Sequence, residues 1–192
     1  MINRISLITG SERKARVYTA LFGVEIVPVQ TKLTEIQSLD VTEVARRKVE
    51  DAYLKLRSPV LVDDTGLSLL AWNGLPGALV AWFLEAVGAQ GILDMTTGLA
   101  DRQATSITAL GYADANGVRV FTGSMDGMLA TEQRGHNSFG YDTIFIPSGW
   151  DITFAEMSDE QRNAISQRRR AVDELQKEIG LVDEWLGPAG GP

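Results

Sequence analysis

The sequence predicts a mixed α/β fold with a long central mixed β-sheet flanked by helices. Short apolar runs typical of strands alternate with amphipathic helical segments in the first half of the chain. A hairpin-rich stretch follows from residue 104, and no internal repeat or long linker divides the 192 residues. Alternating strands and helices are typical of a sheet covered by helices, and the hairpins extend that sheet. We therefore predict one domain over residues 1–186, with the remaining G-P-A-G-G-P at 187–192 as a disordered tail.

The first half of the chain supplies the alternating elements. Its apolar runs predict three strands, over residues 5–9, 24–29 and 60–62. The spacing of apolar residues at the helical period predicts helical segments over 15–22, 41–56, 78–87 and 91–97. Thr42 is the predicted N-cap of the second of these helices, since Thr accepts hydrogen bonds from the first free N–H groups.

The second half of the chain supplies hairpins and a terminal helix. The predicted strands cover residues 106–113, 118–122, 125–130 and 144–147. Asn116-Gly117, between the first two of these runs, is a strong signal for a hairpin turn. A charge-rich segment over 159–178 then reads as helix.

Composition excludes several classes of function. The net charge is −7, which argues against general binding to the phosphate backbone of nucleic acids or to an anionic membrane surface. The absence of cysteine excludes disulfides, thiolate nucleophiles and Cys-ligated zinc, and one histidine, His136, excludes a His-rich metal site. We see no apolar stretch of the roughly 18–20 residues that a membrane span needs, and no secretory signal. The sequence therefore predicts a cytoplasmic protein, and a small anionic ligand remains compatible with it.

The segment T-G-S-E-R-K at residues 9–14 joins the first predicted strand to the first predicted helix. Gly10 permits a sharp turn, and the helix start offers unpaired N–H groups and a positive dipole end. Thr9 and Ser11 add hydroxyl groups and Lys14 adds a cation, so the junction suits a phosphate. The alternative is an ordinary N-cap at Ser11 followed by solvated charges. The Walker A pattern is absent.

Two adjacent aspartates, Asp63 and Asp64, follow the apolar run Val60-Leu61-Val62. Neighbouring carboxylates repel, so each needs a cation or hydrogen-bond donors if the position is partly buried. Carboxylate oxygens without histidine or cysteine favour Mg²⁺ or Mn²⁺ over zinc. We therefore predict a divalent cation at this strand tip. The alternative is a turn with two solvated carboxylates.

Two later segments complete the candidate site. F-G-Y-D at 139–142 can stack a planar ring on an aromatic side chain and accept its N–H groups, or its aromatic residues can pack a strand end. N-A-I-S-Q-R-R-R-A at 163–171 carries three consecutive arginines that cannot share one helix face, so at most two can point into a site. Such a charge run is alternatively a solvated face. Together with the phosphate-type turn and the acidic pair, these segments suit a magnesium–nucleotide complex.

Five segments of the chain, in order from Thr9 to Ala171, resemble the inosine triphosphate pyrophosphatases. T-G-S-E-R-K resembles the family's T-G-N-x-x-K, and D-D-T-G-L its [ED]-D-[ST]-G-L. The segment beginning L-P-G at residue 75 resembles a further landmark, and R-G-H-N-S-F-G-Y-D resembles R-G-x-x-x-F-G-[YW]-D. The segment A-E-M at 155–157, followed by N-A-I-S-Q-R at 163–168, resembles the fifth landmark of the family. Members of this family hydrolyse deaminated purine nucleoside triphosphates to monophosphate and pyrophosphate.

The resemblance implies a two-lobed molecule with a cleft between the lobes, usually a homodimer. It implies that Asp64 binds Mg²⁺, for which Mn²⁺ can substitute, and helps to activate water with support from Asp63. The second metal carboxylate is Glu35 or Asp40, and Asp40 fits the family's acidic position better. Lys14 and Lys48 neutralise phosphate charge. The implied substrate-binding residues are Thr9, Gly10, Ser11, Lys14, Thr65, Phe139, Gly140, Tyr141, Asp142, Arg162, Ser166, Gln167 and Arg168.

The chain departs from the family pattern at four positions. Ser11 replaces asparagine, Thr143 replaces proline, Arg162 replaces lysine and Gln167 replaces histidine. The family's histidine and arginine donate toward the 6-oxo group of the base, whereas glutamine carries both a donor and an acceptor. Gln167 is therefore compatible with 6-oxo recognition or with a 6-amino purine, and we predict altered or broadened base selectivity.

Two other functions remain open. One is a pyrophosphatase for another nucleotide, such as a modified purine or a pyrimidine triphosphate. The other is a nucleotide-binding protein that has lost turnover, although the retained Lys14, Lys48, Asp63 and Asp64 argue against it.

Overall fold

A central sheet organises the computed structural model, which describes residues 4–136 and 140–179. Its strands are β1 Arg4–Ile8, β2 Glu25–Val29, β3 Val60–Leu69, β4 Pro76–Gly77, β5 Gln103–Asp114, β6 Gly117–Leu129 and β7 Phe145–Pro147. The strand order is β2-β1-β3-β5-β6-β7, with β4 paired to β3. β1 runs parallel to both β2 and β3, and the other pairings are antiparallel. The predicted mixed sheet is confirmed.

Helices cover both faces of the sheet. They are α1 Glu12–Phe22, α2 Val41–Leu56, α3 Val80–Met95, α4 Asp159–Ile165 and α5 Gln167–Ile179. On one face α1 and α5 pack over β1, β3 and β5, where Tyr18 of α1 and Val172 of α5 join one core cluster. On the other face α2 packs over β3 and β5 through residues such as Val49. A third cluster lies under α3. The α/β class with flanking helices is therefore confirmed.

The strand that carries the acidic pair is longer than predicted. β3 continues through both aspartates to Leu69, so they lie in its middle and not at its tip. β5 pairs with β3 along this whole length, whereas β1 pairs with it only at Val60 and Leu61. Gly66 is an internal residue of β3, and an added Cβ there would lie 3.3 Å from the carbonyl carbon of Gly77 in β4. Its small size permits β4 to approach.

The helix starts also differ from the sequence prediction. α1 begins at Glu12, because Ser11 caps it by accepting a hydrogen bond from the Lys14 amide. The N-cap of α2 is Asp40 and not Thr42, since the Asp40 carboxylate accepts from the Thr42 amide at 2.8 Å. A side chain one residue before the helix reaches the free N–H groups that a residue inside the helix cannot.

Four predicted segments are joined or divided in the structure. The two helical segments predicted over 78–87 and 91–97 form α3, interrupted by Gly88 at φ 70°, ψ 179°. The strand predicted over 125–130 is the continuation of β6. The single helix predicted over 159–178 is split into α4 and α5 by extended backbone at Ser166.

Two sequence predictions are not tested by this fold. The tail at 187–192, and with it the end of the predicted domain at 186, lies outside the described residues.

Among the helices of residues 4–136 and 140–179, none has the length and apolar character needed to cross a bilayer.

Candidate active site

Asp63 and Asp64 point to opposite faces of the sheet, because successive side chains of a strand alternate. Asp63 faces α1 and α5, where its carboxylate contacts Tyr18 and Arg168. Asp64 faces α2, where its carboxylate contacts Lys48. The alternation separates the two carboxylates and gives each acid its own cation, while the charge of Asp63 still contributes to a raised pKa of Asp64. The two carboxylates therefore have separate roles.

Asp63 is an anchor with every oxygen engaged. Its Oδ2 lies 3.2 Å from Lys14 Nζ and 3.6 Å from Arg168 Nε, and it accepts a 2.7 Å hydrogen bond from the Tyr18 hydroxyl. Its Oδ1 accepts from Thr65 Oγ1 at 3.1 Å. Burial of this 0% exposed side chain would raise its pKa, but Lys14, Arg168 and Tyr18 outweigh burial and lower the pKa to about 2. Asp63 is therefore ionised and fully coordinated by protein groups.

The two carboxylate oxygens of Asp64 differ in their contacts. Its Oδ1 lies 2.6 Å from Lys48 Nζ, while its Oδ2 is buried without a hydrogen-bond partner among the described residues. Burial raises the pKa of Asp64 more than Lys48 lowers it. A buried carboxylate oxygen with no donor is costly unless a cation or a donor reaches it. Asp64 Oδ2 is therefore the atom best placed to receive a metal ion or a water molecule.

Lys48 joins Asp64 to a second carboxylate. Its Nζ lies 2.6 Å from Glu35 Oε1 as well as 2.6 Å from Asp64 Oδ1. Burial would lower the pKa of Lys48, but the two carboxylates outweigh it and raise the pKa. The ammonium group therefore stays charged and holds the carboxylates of Glu35 and Asp64 close to one another.

The two candidates for the second metal carboxylate, Glu35 and Asp40, make different contacts in the structure. Asp40 Oδ1 accepts the capping hydrogen bond of α2, whereas Glu35 shares Lys48 with Asp64, so Glu35 is the candidate that lies beside Asp64. Within residues 4–136 and 140–179, no three acidic or histidine side chains gather into a metal cluster. Mg²⁺ commonly takes only one or two protein carboxylates and completes its octahedron with phosphates and water. Glu35 and the unpartnered oxygen of Asp64 fit that requirement.

The phosphate-type turn is built at the end of β1. The Thr9 amide donates to the Val29 carbonyl at 3.1 Å, which continues the pairing with β2. Thr9 Oγ1 then accepts from the Ser11 amide at 3.0 Å, and Ser11 Oγ caps α1. Lys14, in the first turn of α1, reaches back to Asp63. The N-cap and the grouping of hydroxyls beside a lysine are thus both present, and the cap does not exclude a phosphate.

Tyr141 is anchored in the core. Its buried hydroxyl lies 2.7 Å from Ser106 Oγ and donates to the Gly66 carbonyl at 2.8 Å. Burial raises its pKa well above the usual range for tyrosine. Tyr141 therefore fixes its loop, in which Gly140 has φ 61°, to the middle of β3. Phe139, the predicted stacking residue, lies outside the described residues.

Cationic residues from three elements converge near this loop. A small cavity has Lys14, Asp142, Arg162, Ser166 and Arg168 in its lining. Arg162 lies 3.3 Å from the Asp142 carboxylate and 2.7 Å from that of Asp159. The sequence therefore identified residues that the fold brings together from α1, the loop and α4–α5.

The three consecutive arginines at the start of α5 point in different directions, because successive residues of a helix lie on different faces. Only Arg168 reaches the acidic pair, whereas Arg169 donates to the Leu21 carbonyl and Arg170 to the Ser124 carbonyl. The expectation that at most two of the three point into the site is confirmed for these described contacts. The other two hold α5 against α1 and β6.

Gln167 is buried at the start of α5, with 1% of its surface exposed. An added Cβ at Gly123 of β6 would lie 2.0 Å from the Gln167 carbonyl oxygen, so the glycine admits the helix at close range. The side-chain Oε1 of Gln167 is buried and has no hydrogen-bond partner among the described residues. Gln167 thus retains a free acceptor.

Sequence reasoning missed Tyr18. It lies one turn after Lys14 on α1, and residues four apart share a helix face. The spacing of four residues between Lys14 and Tyr18 is the sequence signal that could have identified Tyr18 as a neighbour of the site.

Comparisons with known proteins agree on one family. A sequence model of the Ham1 family matches residues 5–178. A dITP/XTP pyrophosphatase of Thermococcus kodakarensis is 38% identical over 175 residues, which are 90% of this chain and 95% of the relative. Inosine triphosphate pyrophosphatase 2 of Trypanosoma cruzi is 39% identical over 183 residues, 93% of each chain.

A solved structure agrees as well. The Ham1 protein of Staphylococcus aureus has a TM-score of 0.80 and 28% identity, covering 92% of this chain and 98% of that protein. The resemblance found in the sequence is thus confirmed. On the family match, the identities and the shared fold together, this chain belongs to the Ham1 family.

Proposed function

We propose that this protein hydrolyses deaminated purine nucleoside triphosphates, of the ITP, dITP and XTP type, to monophosphate and pyrophosphate, with Mg²⁺ as cofactor. The observation that carries the proposal is the buried Oδ2 of Asp64, which has no hydrogen-bond partner in the described part of the chain and lies beside Lys48 and Glu35. The names of the relatives in Thermococcus and Trypanosoma support the same reaction. Such an activity would remove abnormal purines from the nucleotide pool.

The chain's own residues account for the chemistry. Hydrolysis of a phosphoanhydride needs the charge of the triphosphate screened and a water molecule directed in line with the leaving group. Lys14 and Lys48 provide cations on either face of β3, and Asp64 orients the water and accepts its proton. Glu35 and Asp64 would hold Mg²⁺ or Mn²⁺, which when bound neutralises and aligns the phosphates. Asp63 keeps Lys14 and Arg168 in place.

A substrate panel tests this function. Pyrophosphate release is measured with Mg²⁺ for ITP, XTP, their deoxy forms, GTP and ATP. We expect ITP and XTP to be substrates. Absence of pyrophosphate release from every triphosphate, with nucleotide binding retained, would instead support a binding protein without turnover.

Base selectivity depends on Gln167 in this proposal. The free acceptor Oε1 can receive the 6-amino group of adenine, whereas a histidine that donates its N–H would not. We expect Gln167→His to raise the preference for ITP over ATP, measured as the ratio of kcat/KM, by about tenfold. If native protein and variant discriminate equally, Gln167 does not broaden selectivity.

The two metal candidates can be separated by matched variants. Glu35→Gln should raise the concentration of Mn²⁺ needed for half-saturation of the protein by about tenfold or more, because it removes a ligand. Asp40→Ala should leave Mn²⁺ binding unchanged and lower the free energy of unfolding by about 1 kcal/mol through loss of the α2 cap. Calorimetric Mn²⁺ titration and urea unfolding measure both. The reverse pattern would return the ligand role to Asp40.

We also propose that the protein is a cytoplasmic homodimer. An apolar groove lined by Leu39, Leu79, Trp82 and Phe83 lies at the surface, with Leu39 60% and Trp82 54% exposed. Exposed apolar surface of this kind is typical of an interaction site, and a second copy would cover it. Sedimentation equilibrium tests the dimer, and the mass of a single 20.9 kDa chain would contradict it.

A further inference from the structure

We propose that Tyr18 is a positioning residue of this active site. Its hydroxyl fixes the orientation of the Asp63 carboxylate, and through it the positions of Lys14 and Arg168. The inference rests on the proposed function for what the two cations bind, but the geometry that carries it is independent of the substrate.

The Tyr18 hydroxyl is a rigid donor. The residue is 0% exposed and lies in the core cluster between α1 and α5. Its ring lies 6.1 Å from that of Phe22, centroid to centroid, within the same core. The hydroxyl donates a 2.7 Å hydrogen bond to Asp63 Oδ2. Because the surrounding core holds the ring, the donor cannot move without disturbing α1.

The acceptor of this bond is also the atom that both cations share. Lys14 Nζ and Arg168 Nε lie 3.2 Å and 3.6 Å from Asp63 Oδ2. An ammonium is a compact charge on a flexible stem and dictates little direction. The neutral Tyr18 donor on Oδ2, together with the Thr65 hydroxyl on Oδ1, therefore sets which way the carboxylate turns, and Tyr18 acts on the oxygen that both cations contact.

Three elements meet at this point. α1 supplies Lys14 and Tyr18 one turn apart, β3 supplies Asp63, and the start of α5 supplies Arg168. Lys14 belongs to the phosphate-type turn and Arg168 to the segment that follows the loop at 140–142. The Tyr18 hydrogen bond thus acts on the carboxylate oxygen that a cation from α1 and a cation from α5 both contact, and it adds no charge to the site.

The test compares Tyr18→Phe with a matched control, Tyr112→Phe. Tyr112 is 0% exposed in the same core cluster, but the carboxylate beside it is Asp114 and not Asp63. Each variant removes one buried hydroxyl from this core. We expect Tyr18→Phe to weaken binding of inorganic pyrophosphate and to lower kcat/KM, each by about tenfold, and Tyr112→Phe to change neither by more than about twofold.

A second measurement reports position directly. The Nε–H resonance of Arg168, assigned by its loss in Arg168→Lys, should shift in Tyr18→Phe and stay in place in Tyr112→Phe. The proposal is overturned if the two phenylalanine variants behave alike in both this resonance and pyrophosphate affinity. Neither readout requires turnover, so a native protein that releases no pyrophosphate would contradict the proposed function and leave this test of Tyr18 intact.

Discussion

Replacing Asp64 by asparagine is expected to lower kcat for pyrophosphate release by about a thousandfold. The amide has nearly the shape of the carboxylate but cannot accept the proton of the attacking water, and it binds a divalent cation weakly. In the structure Lys48 pairs with two carboxylates, those of Asp64 and Glu35, and the substitution leaves it with Glu35 alone of these two. The measurement is a steady-state assay of pyrophosphate at saturating ITP and Mg²⁺.

The control for this variant is Asp114→Asn, which removes a different aspartate of the same sheet, paired with Arg119 at 2.8 Å. We expect its kcat to stay within about twofold of the native value, as for substitutions away from the chemistry. Because burial raises the pKa of Asp64, its charged form is disfavoured by the fold. Asp64→Asn should therefore be at least as stable as the native protein. If Asp64→Asn kept more than a tenth of the native kcat, that result would contradict the role of Asp64.

Replacing Asp63 by asparagine is expected to have the opposite effect on stability. We predict a loss of about 3–5 kcal/mol in the free energy of unfolding, the cost of removing one partner from a buried ion pair. Lys14 and Arg168, whose side chains are 17% and 11% exposed, would lose the carboxylate that they share. Urea unfolding at neutral pH measures the loss.

The pH dependence of stability supplies a second test of Asp63. The pKa of this carboxyl is lowered from 3.8 to about 2 in the folded protein. Its contribution is therefore fully present above the unfolded value and is lost as pH falls from about 4 toward about 2. Asp63→Asn should flatten the stability curve in that window, with Asp64→Asn as the matched control. Equal unfolding free energies for the two variants at neutral pH would contradict the anchor role.

The residues of the candidate site could be selected from the sequence because their chemistry is carried by short motifs. A lysine after a glycine turn, an acidic pair after an apolar run and an arginine after a serine could be found without coordinates. Their arrangement was not predictable in the same way. The prediction that β3 ends at Val62 was wrong because its pairing with β5 joins residues more than 30 positions apart. With that pairing, alternation places Asp63 and Asp64 on opposite faces.

The different contacts of Glu35 and Asp40 depend on local structure that the spacing in the sequence did not reveal. Asp40 stands one residue before α2, so its carboxylate satisfies the free amide of Thr42. Glu35 lies in the loop before it and reaches Lys48 from there. Tyr18 was missed for another reason, since an aromatic residue on a helix usually reads as core. It is a core residue, and only its hydroxyl belongs to the site.

The bond that is cleaved tests the central claim most directly. ³¹P NMR of ITP incubated with the native protein and Mg²⁺ identifies the phosphorus products without a coupling enzyme. The proposed reaction predicts inosine monophosphate and pyrophosphate in equal amounts, with neither formed by Asp64→Asn at the same protein concentration within the same time. Inosine diphosphate with inorganic phosphate, or undiminished pyrophosphate from Asp64→Asn, would contradict it.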